Sequence, residues 1–368
     1  MEGGMSPNIS DLNYHNVTWN DERFIFDKYK QSTAVIVIFI LAYLSIFLLC
    51  VVGNILVILV MVFNRNMRTV TNMFITNLAV ADLLVGVFCL PFNLADNITT
   101  SWPFDDVMCK TFLTVQVLSV SASVFTLIAI AVDRYYAVVH PTSSGVTKPA
   151  MRYILVSVWL VAVCTCVPQG LVLTSTTYQD VYTSDGQLMT TCEEVWPGDH
   201  YRAAYALGLF ITSYLTPLFI IAVLYIRISM RLWYRPKLGG NQTNSALSVK
   251  STEPFVSYSS RSDNATLHMP TAAPSPSVQA QMSKKLHVIR MLLIVVVVFF
   301  LSWLPIHVFN IVSVFANLTE NTLIILYHYV FPIVQCMAFI NCGINPIIYG
   351  YYNKNLRKAF YQLIRKSS

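Results

Sequence analysis

Long apolar runs, each near the length that crosses a bilayer, alternate with short polar segments along almost the whole chain. A helix rising about 1.5 Å per residue needs about 20 apolar residues to cross ~30 Å of hydrocarbon. The pattern predicts seven such spans, at roughly 33–62, 71–95, 108–139, 152–173, 204–232, 287–315 and 323–349. Residues 1–32 are polar, and the first apolar run is far longer than the h-region of a cleaved signal, so it is expected to act as its own insertion signal. Residues 235–283 are rich in Ser, Pro, Asn, Thr and Gly without apolar periodicity, which predicts a disordered loop between the fifth and sixth spans. In residues 353–366, basic residues alternate with Leu356, Phe360, Leu363 and Ile364 at helical spacing, as in a short amphipathic helix on a membrane surface. The fold class predicted is an all-α membrane protein: an N-terminal segment 1–32, a seven-helix transmembrane bundle 33–349, and an amphipathic helix with a short tail 350–368.

Composition agrees. The chain is 55% hydrophobic and only 11% charged, against about 25% charged in soluble domains, and its mean hydropathy is +0.57. Basic residues of short loops stay on the cytoplasmic side. With the N-terminus outside, only Arg23, Lys28, Lys30, Lys110 and Arg202 fall on the outer face, while most acids do. The net charge of +6 therefore belongs to the inner face, where anionic lipid or an acidic cytosolic partner meets it, and does not point to nucleic acid. The acidic outer mouth favours a cationic ligand. Glycosylation sequons at Asn8, Asn16, Asn97 and Asn317 fall outside; those at Asn241 and Asn264 fall inside and are expected to stay unmodified. Of the eight cysteines, only Cys109 and Cys192 share the oxidising face, so they are expected to form a disulfide tying the second outer loop to the third span.

Polar residues at membrane depth stand out against this background. Asp82 lies near the middle of the second span, where an ionised carboxylate needs partners. Asn54, Ser123, Asn341 and Asn345 sit at comparable depth. Either Asp82 is a neutral acid satisfied by neighbouring helices, or the group forms an oxygen-lined pocket suited to a small hard cation such as sodium. Pro91, Pro168, Pro217, Pro305, Pro332 and Pro346 interrupt the helical hydrogen-bond ladder within spans, as kinks or hinges. Trp303 adjoins Pro305, as core packing or as part of a switch. Asp133 and Arg134 close the third span at the inner boundary, where a long basic side chain can snorkel.

Several of these residues stand in ordered motifs: Gly53-Asn54; Asn77-Leu78-Ala79-Val80-Ala81-Asp82; Cys109; Asp133-Arg134-Tyr135; Trp159; Pro217 with Tyr225; Phe299-Phe300-Leu301-Ser302-Trp303-Leu304-Pro305; and Asn345-Pro346-Ile347-Ile348-Tyr349. In this order, one set per span, the chain resembles the rhodopsin-like G-protein-coupled receptors over nearly its whole length. The resemblance implies a plasma-membrane protein that is not an enzyme. It implies a ligand among the outer halves of the spans, repacking around Trp303 and Phe299, and outward movement of the sixth span at Pro305. It further implies coupling of Asp133, Arg134, Tyr135, Tyr225, Asn345, Pro346 and Tyr349 to a heterotrimeric G protein, with arrestin and a receptor kinase as further partners. In the resting state it implies a bond between Arg134 and Asp133.

Exclusion narrows the ligand. Amine receptors carry an aspartate where this chain has Gln116, and opsins carry a retinal-binding lysine where it has Phe339. The stretches Cys192-Glu193-Glu194-Val195-Trp196-Pro197, Trp102-Pro103-Phe104 and Tyr329-Val330-Phe331-Pro332 look like those of receptors for amidated peptides ending in Arg-Phe or Arg-Tyr, the neuropeptide FF and neuropeptide Y groups. That resemblance implies Glu193, Glu194 or Asp96 as partners of the peptide's arginine, Gln116 for its terminal amide, and Trp303 and His307 near its aromatic ring. Two departures stand out: Val314 replaces an acid near the outer end of the sixth span, and Lys284 and Lys285 replace the acid that faces the third-span arginine in many relatives. The alternatives are a seven-span receptor for another peptide or a ligand-independent one and, from another class, a channel or transporter built on Asp82, though no inverted repeat accompanies it.

Overall fold

The computed structural model describes residues 17–20, 23–140, 145–233, 276–316, 318–353, 356–360 and 362. Asn8, Asn16, Asn241, Asn264, Asn317, Leu363 and Ile364 lie outside the described residues. The chain forms seven helices long and apolar enough to cross a membrane: α1 Thr33–Phe63, α2 Val70–Ile98, α3 Asp106–Val139, α4 Lys148–Val172, α5 Asp199–Trp233, α6 Leu286–Phe315 and α7 Asn321–Tyr352. Thr69, Asp105 and Thr147 accept the backbone N–H of Asn72, Met108 and Ala150 and so cap α2, α3 and α4. Outward faces are apolar, as in Leu41, Leu44 and Leu48 of α1, because their solvent is lipid. The largest buried cluster lies between the helices and gathers Phe74, Leu127, Ile130, Ile221, Tyr225, Phe299 and Tyr349.

Three of the expected kink prolines share a mechanism. Pro91, Pro217 and Pro332 each follow a turn in which the ladder widens to i→i+5, at Val85–Cys89, Ile211–Leu215 and Leu326–Val330. A proline has no N–H to donate and its ring crowds the preceding turn, so the wider turn absorbs the misfit. Pro168, Pro305 and Pro346 lie inside helices without such a turn.

Several expectations need correction. The loop expected over 235–283 ends sooner, because the helix whose spanning part is α6 begins ahead of it at Pro276; a proline fits a first helical turn, and the residues between it and α6 contain no breaker. Helix α2 runs past residue 95 to Ile98, which places Asn97 in its last turn and not in a loop. Asn97 is buried, and its Nδ2 donates to Tyr43 Oη at 2.9 Å and Gln335 Oε1 at 2.7 Å. That nitrogen is committed inside the bundle, so Asn97 is not a glycan acceptor. Residues 356–360 are helical after α7, but Leu356 packs into the bundle core and does not face lipid.

At the end of the bundle that carries the disulfide, a four-stranded sheet crosses the helices in the order β1 Val17–Asn20, β2 Arg23–Phe26, β3 Leu173–Thr183, β4 Leu188–Glu194. The β3–β4 hairpin belongs to the segment between α4 and α5, and the N-terminal β1–β2 hairpin adds to it through a parallel β2–β3 pairing. Cys192 in β4 is disulfide-bonded to Cys109 in α3, as expected. Asp106 strengthens the joint by accepting Ser175 N at 2.8 Å and Thr174 Oγ1 at 3.2 Å.

Candidate functional site

Polar side chains gather at three levels along the bundle. At the disulfide end, Gln116 of α3 opens a chain of carboxamides. Asn93 Nδ2 of α2 donates to Gln116 Oε1 at 3.0 Å, and Gln335 Nε2 of α7 donates to Asn93 Oδ1. Gln335 Oε1 then accepts from Asn97, which also reaches Tyr43 of α1. The chain thus links α3, α2, α7 and α1, with Asn93, Asn97 and Gln335 buried. In a bilayer an unpaired amide costs several kcal/mol, so such groups bond to one another. None of these side chains is cationic.

The other expected ligand residues stand in separate groups. Glu194 is fixed by Gln169 Nε2 of α4 at 2.7 Å and by Trp196 Nε1 at 2.8 Å, while Glu193 accepts the Tyr178 hydroxyl at 3.2 Å. Asp96 is half-buried, and its backbone oxygen accepts Lys30 Nζ at 2.6 Å. His307 packs on Tyr214 and Phe210 of α5, with centroids at 4.9 and 5.8 Å. Trp303 is buried lower in α6 with its ring 6.1 Å from Phe299, and its Nε1 has no hydrogen-bond partner among the described residues.

At mid-depth, Asp82 is buried and accepts Asn345 Nδ2 at 2.9 Å. Asn54 Nδ2 donates to the carbonyls of Cys50 and Cys342, both at 2.9 Å, tying α1 to α7. Ser123 and Asn341 are buried as well, and among the described residues the oxygens Asn54 Oδ1, Asn341 Oδ1, Asn345 Oδ1 and Ser119 Oγ have no hydrogen-bond partner. One carboxylate among unpartnered neutral oxygens is a donor set that fits a small hard cation. Among the described residues no three His, Cys, Asp or Glu side chains stand together, so nothing resembles a transition-metal site.

At the opposite end, Arg134 Nη2 lies 2.6 Å from Asp133 Oδ2. Thr71 of α2 completes a triangle: its hydroxyl donates to the same Asp133 oxygen at 2.7 Å and accepts from Arg134. Among the described residues the buried hydroxyls of Tyr225 and Tyr349 have no hydrogen-bond partner, and Pro346 packs against α1, where a Cβ on Gly53 would sit 2.8 Å from the proline ring. Tyr135 stacks edge-on against Tyr136 and His140.

Residues 53–349 match the rhodopsin family of seven-transmembrane receptors. The chain belongs to that family. It is therefore a multi-pass receptor and not an enzyme. Among similar proteins, neuropeptide FF receptor 1 of Rattus norvegicus is 39% identical over 341 residues, covering 92% of this chain and 72% of the relative. The human receptor 1 is 38% identical over 347 residues, covering 92% and 73%. The Mus musculus neuropeptide FF receptor 2 is 38% identical over 349 residues, covering 92% and 76%.

The sequence marks the family motifs but not Tyr43, Thr71, Asn93 or Gln335, and it marks Asn97 only as a glycosylation sequon. The signal for Asn93, Asn97 and Gln335 was present: amide side chains within apolar spans are rare and face the bundle interior. Nothing local marks Thr71, whose role depends on α2 lying beside α3.

Proposed function

We propose that this receptor binds an extracellular peptide ending in amidated Arg-Phe or Arg-Tyr and activates heterotrimeric G proteins. The observation that carries the reading is the carboxamide cluster Gln116–Asn93–Gln335. A terminal amide both donates and accepts, as Asn93 and Gln335 do here and as the Gln116 carboxamide is able to. A peptide ending in a free carboxylate would bring an uncompensated charge among neutral groups. The names of the similar receptors support the same ligand class.

The N-terminus faces outward, with Asn8, Asn16 and Asn317 as glycan acceptors, and the receptor resides in the plasma membrane. Glu193, Glu194 and Asp96 offer carboxylates to the peptide's arginine, where charge-assisted bonds are strongest. Glu194, fixed by Gln169 and Trp196, keeps acceptor capacity for such a bond. Ligand contact near His307 and Trp303 favours a packing in which α6 moves outward about Pro305, a shift between two populations and not bond chemistry. Arg134 then leaves Asp133 and Thr71 for Tyr225, Tyr349 and the G protein. Sodium at Asp82, Asn345, Asn341, Ser123 and Asn54 favours the closed packing. Arrestin, a receptor kinase and inner-leaflet lipid are partners at the cytoplasmic face.

The test is G-protein activation in cells exposed to a panel of amidated peptides. Response to peptides ending in Arg-Phe-amide supports the reading. Silence across the panel, with the receptor at the cell surface, refutes it.

A further inference from the structure

The segment just ahead of α1 is stitched along the end of α2. Lys30 N donates to Ile98 O at 3.1 Å and Thr100 N to Lys28 O at 3.0 Å, with Tyr29 and Thr99 paired between them. Lys28 Nζ lies 3.2 Å from Asp185 in the β3–β4 turn. Gln31 is buried, and its Nε2 donates both to Asn97 O of α2 at 2.9 Å and to His328 O of α7 at 2.8 Å. Residues 28–31 thus form a strap bonded to two helices and to the sheet.

The strap fixes where the charge of Lys30 sits. Its Nζ donates to the backbone oxygen of Asp96 at 2.6 Å, which holds the ammonium at the same residue as the carboxyl. The carboxylate itself takes part in no hydrogen bond or ion pair among the described residues. Lys30 and Asp96 are both half-buried, so solvent screens their interaction only in part. A half-buried carboxylate with no hydrogen-bond or ion-pair partner among the described residues therefore stands at the disulfide end of the bundle, with a cation of the protein's own held on its backbone.

We propose that Lys30 is a specificity-determining residue of the ligand site, an internal cation that opposes the peptide's guanidinium at Asp96 and lowers the affinity of arginine-bearing ligands. This rests on the peptide reading given above. Gln31 is the positioning residue that keeps Lys30 there. A planar guanidinium still gains at the carboxylate, because it bonds through two parallel N–H groups, whereas an ammonium does not. The strap thereby discriminates between arginine and simpler amines.

The test measures binding to the full-length receptor in membranes of a synthetic peptide ending in Arg-Phe-amide and of its counterpart with neutral citrulline in place of arginine. Lys30→Gln is expected to tighten the arginine peptide on the order of tenfold and to leave the citrulline peptide unchanged, since the effect is one of charge. In an Asp96→Asn background the same substitution is expected to do nothing to either. Lys30→Met, also neutral and of similar length, gives a second reading of the same charge. Equal shifts for both peptides, no shift for either, or a gain that survives Asp96→Asn overturns the proposal. A wild-type receptor that binds neither peptide overturns both this proposal and the peptide reading, a pattern distinct from the other three.

Discussion

Arg134 bonds to its own chain neighbour Asp133 at 2.6 Å, and the hydroxyl of Thr71 from α2 bridges the pair. Adjacent residues point to different sides of a helix, so the contact exists because the long guanidinium folds back and Thr71 pins the carboxylate. Three groups from two helices thus hold the Arg134 charge in a triangle.

Substitution should release it in graded fashion. A hydrogen bond to a charged group contributes about 1.5–3 kcal/mol net, and about 1.4 kcal/mol is tenfold in a population ratio. Asp133→Asn is expected to raise basal G-protein activation about tenfold, Thr71→Val to raise it by less, and Arg134→Ala to abolish coupling. Nucleotide exchange in membranes of matched receptor content measures all three; basal and stimulated activity unchanged in Asp133→Asn and Arg134→Ala would count against the latch.

A second restraint acts on α6. His287 Nε2 lies 2.8 Å from the carbonyl of Tyr352, one of the last carbonyls of α7, which lack partners within their own helix. With Lys284 and Lys285 in place of an acid, this bond ties α6 to the end of α7, at the end of α6 that the proposed activation would move outward. Removing it with His287→Ala is expected to raise basal activity about fivefold, in line with roughly 1 kcal/mol for a neutral hydrogen bond. His287→Phe, which keeps the ring contact with Tyr352, should behave like His287→Ala; if it instead matches wild type, the hydrogen bond is not the restraint.

The Asp82 pocket predicts a salt effect of a specific kind. If the proposed sodium site is right, sodium should weaken agonist binding severalfold in the wild-type receptor, while potassium at the same ionic strength should not, because a small oxygen-lined site would favour the smaller ion. Asp82→Asn should remove the difference. Agonist displacement curves in the two salts read it directly, and an identical response of wild type to both ions would discard the site.

Acid should loosen the strap only at low pH. The Thr183 hydroxyl and then the Lys28 ammonium hold Asp185 below the usual carboxylate range. A lowered folded-state pKa contributes stability above the unfolded value, about 3.9, and that contribution is lost as pH falls through the folded value. Protection of the Lys30 and Thr100 amides, corrected for intrinsic exchange, should therefore be constant from about pH 5 to 8. It should fall to the same level in Asp185→Asn across that range. A steady rise of protection with pH would contradict this assignment.

The seven helices were legible because each apolar run had to match the bilayer, a constraint that acts on every residue in it. The disulfide was legible because topology left Cys109 and Cys192 alone on one face. The N-terminal hairpin was not: Phe24–Phe26 gain their pairing from β3, far along the chain, and a short polar stretch gives no sign of it. Asn97 misled because a sequon is defined by three residues, whereas its accessibility depends on where α2 ends. Asp82, Asn341 and Asn345 were singled out by their motifs, while Asn93 and Gln335, equally deep in apolar runs, became visible only as members of one hydrogen-bonded chain.

That chain also predicts ligand chemistry. Asn93→Leu or Gln335→Leu should weaken an amidated peptide at least about tenfold, by removing a partner and leaving another buried amide unsatisfied at about 1–3 kcal/mol. Peptide displacement at matched surface expression checks it, and unchanged affinity in both variants would separate the cluster from the ligand.

The central claim is that an amidated peptide opens this receptor to a G protein. The most direct measurement is nucleotide exchange on purified G protein with the receptor in lipid, comparing a peptide ending in Arg-Phe-amide with the same peptide as the free acid. Stimulation by the amide, little by the acid, and none by either with Arg134→Ala is the predicted result. Equal stimulation by amide and acid, or none by either on the wild-type receptor, would contradict it.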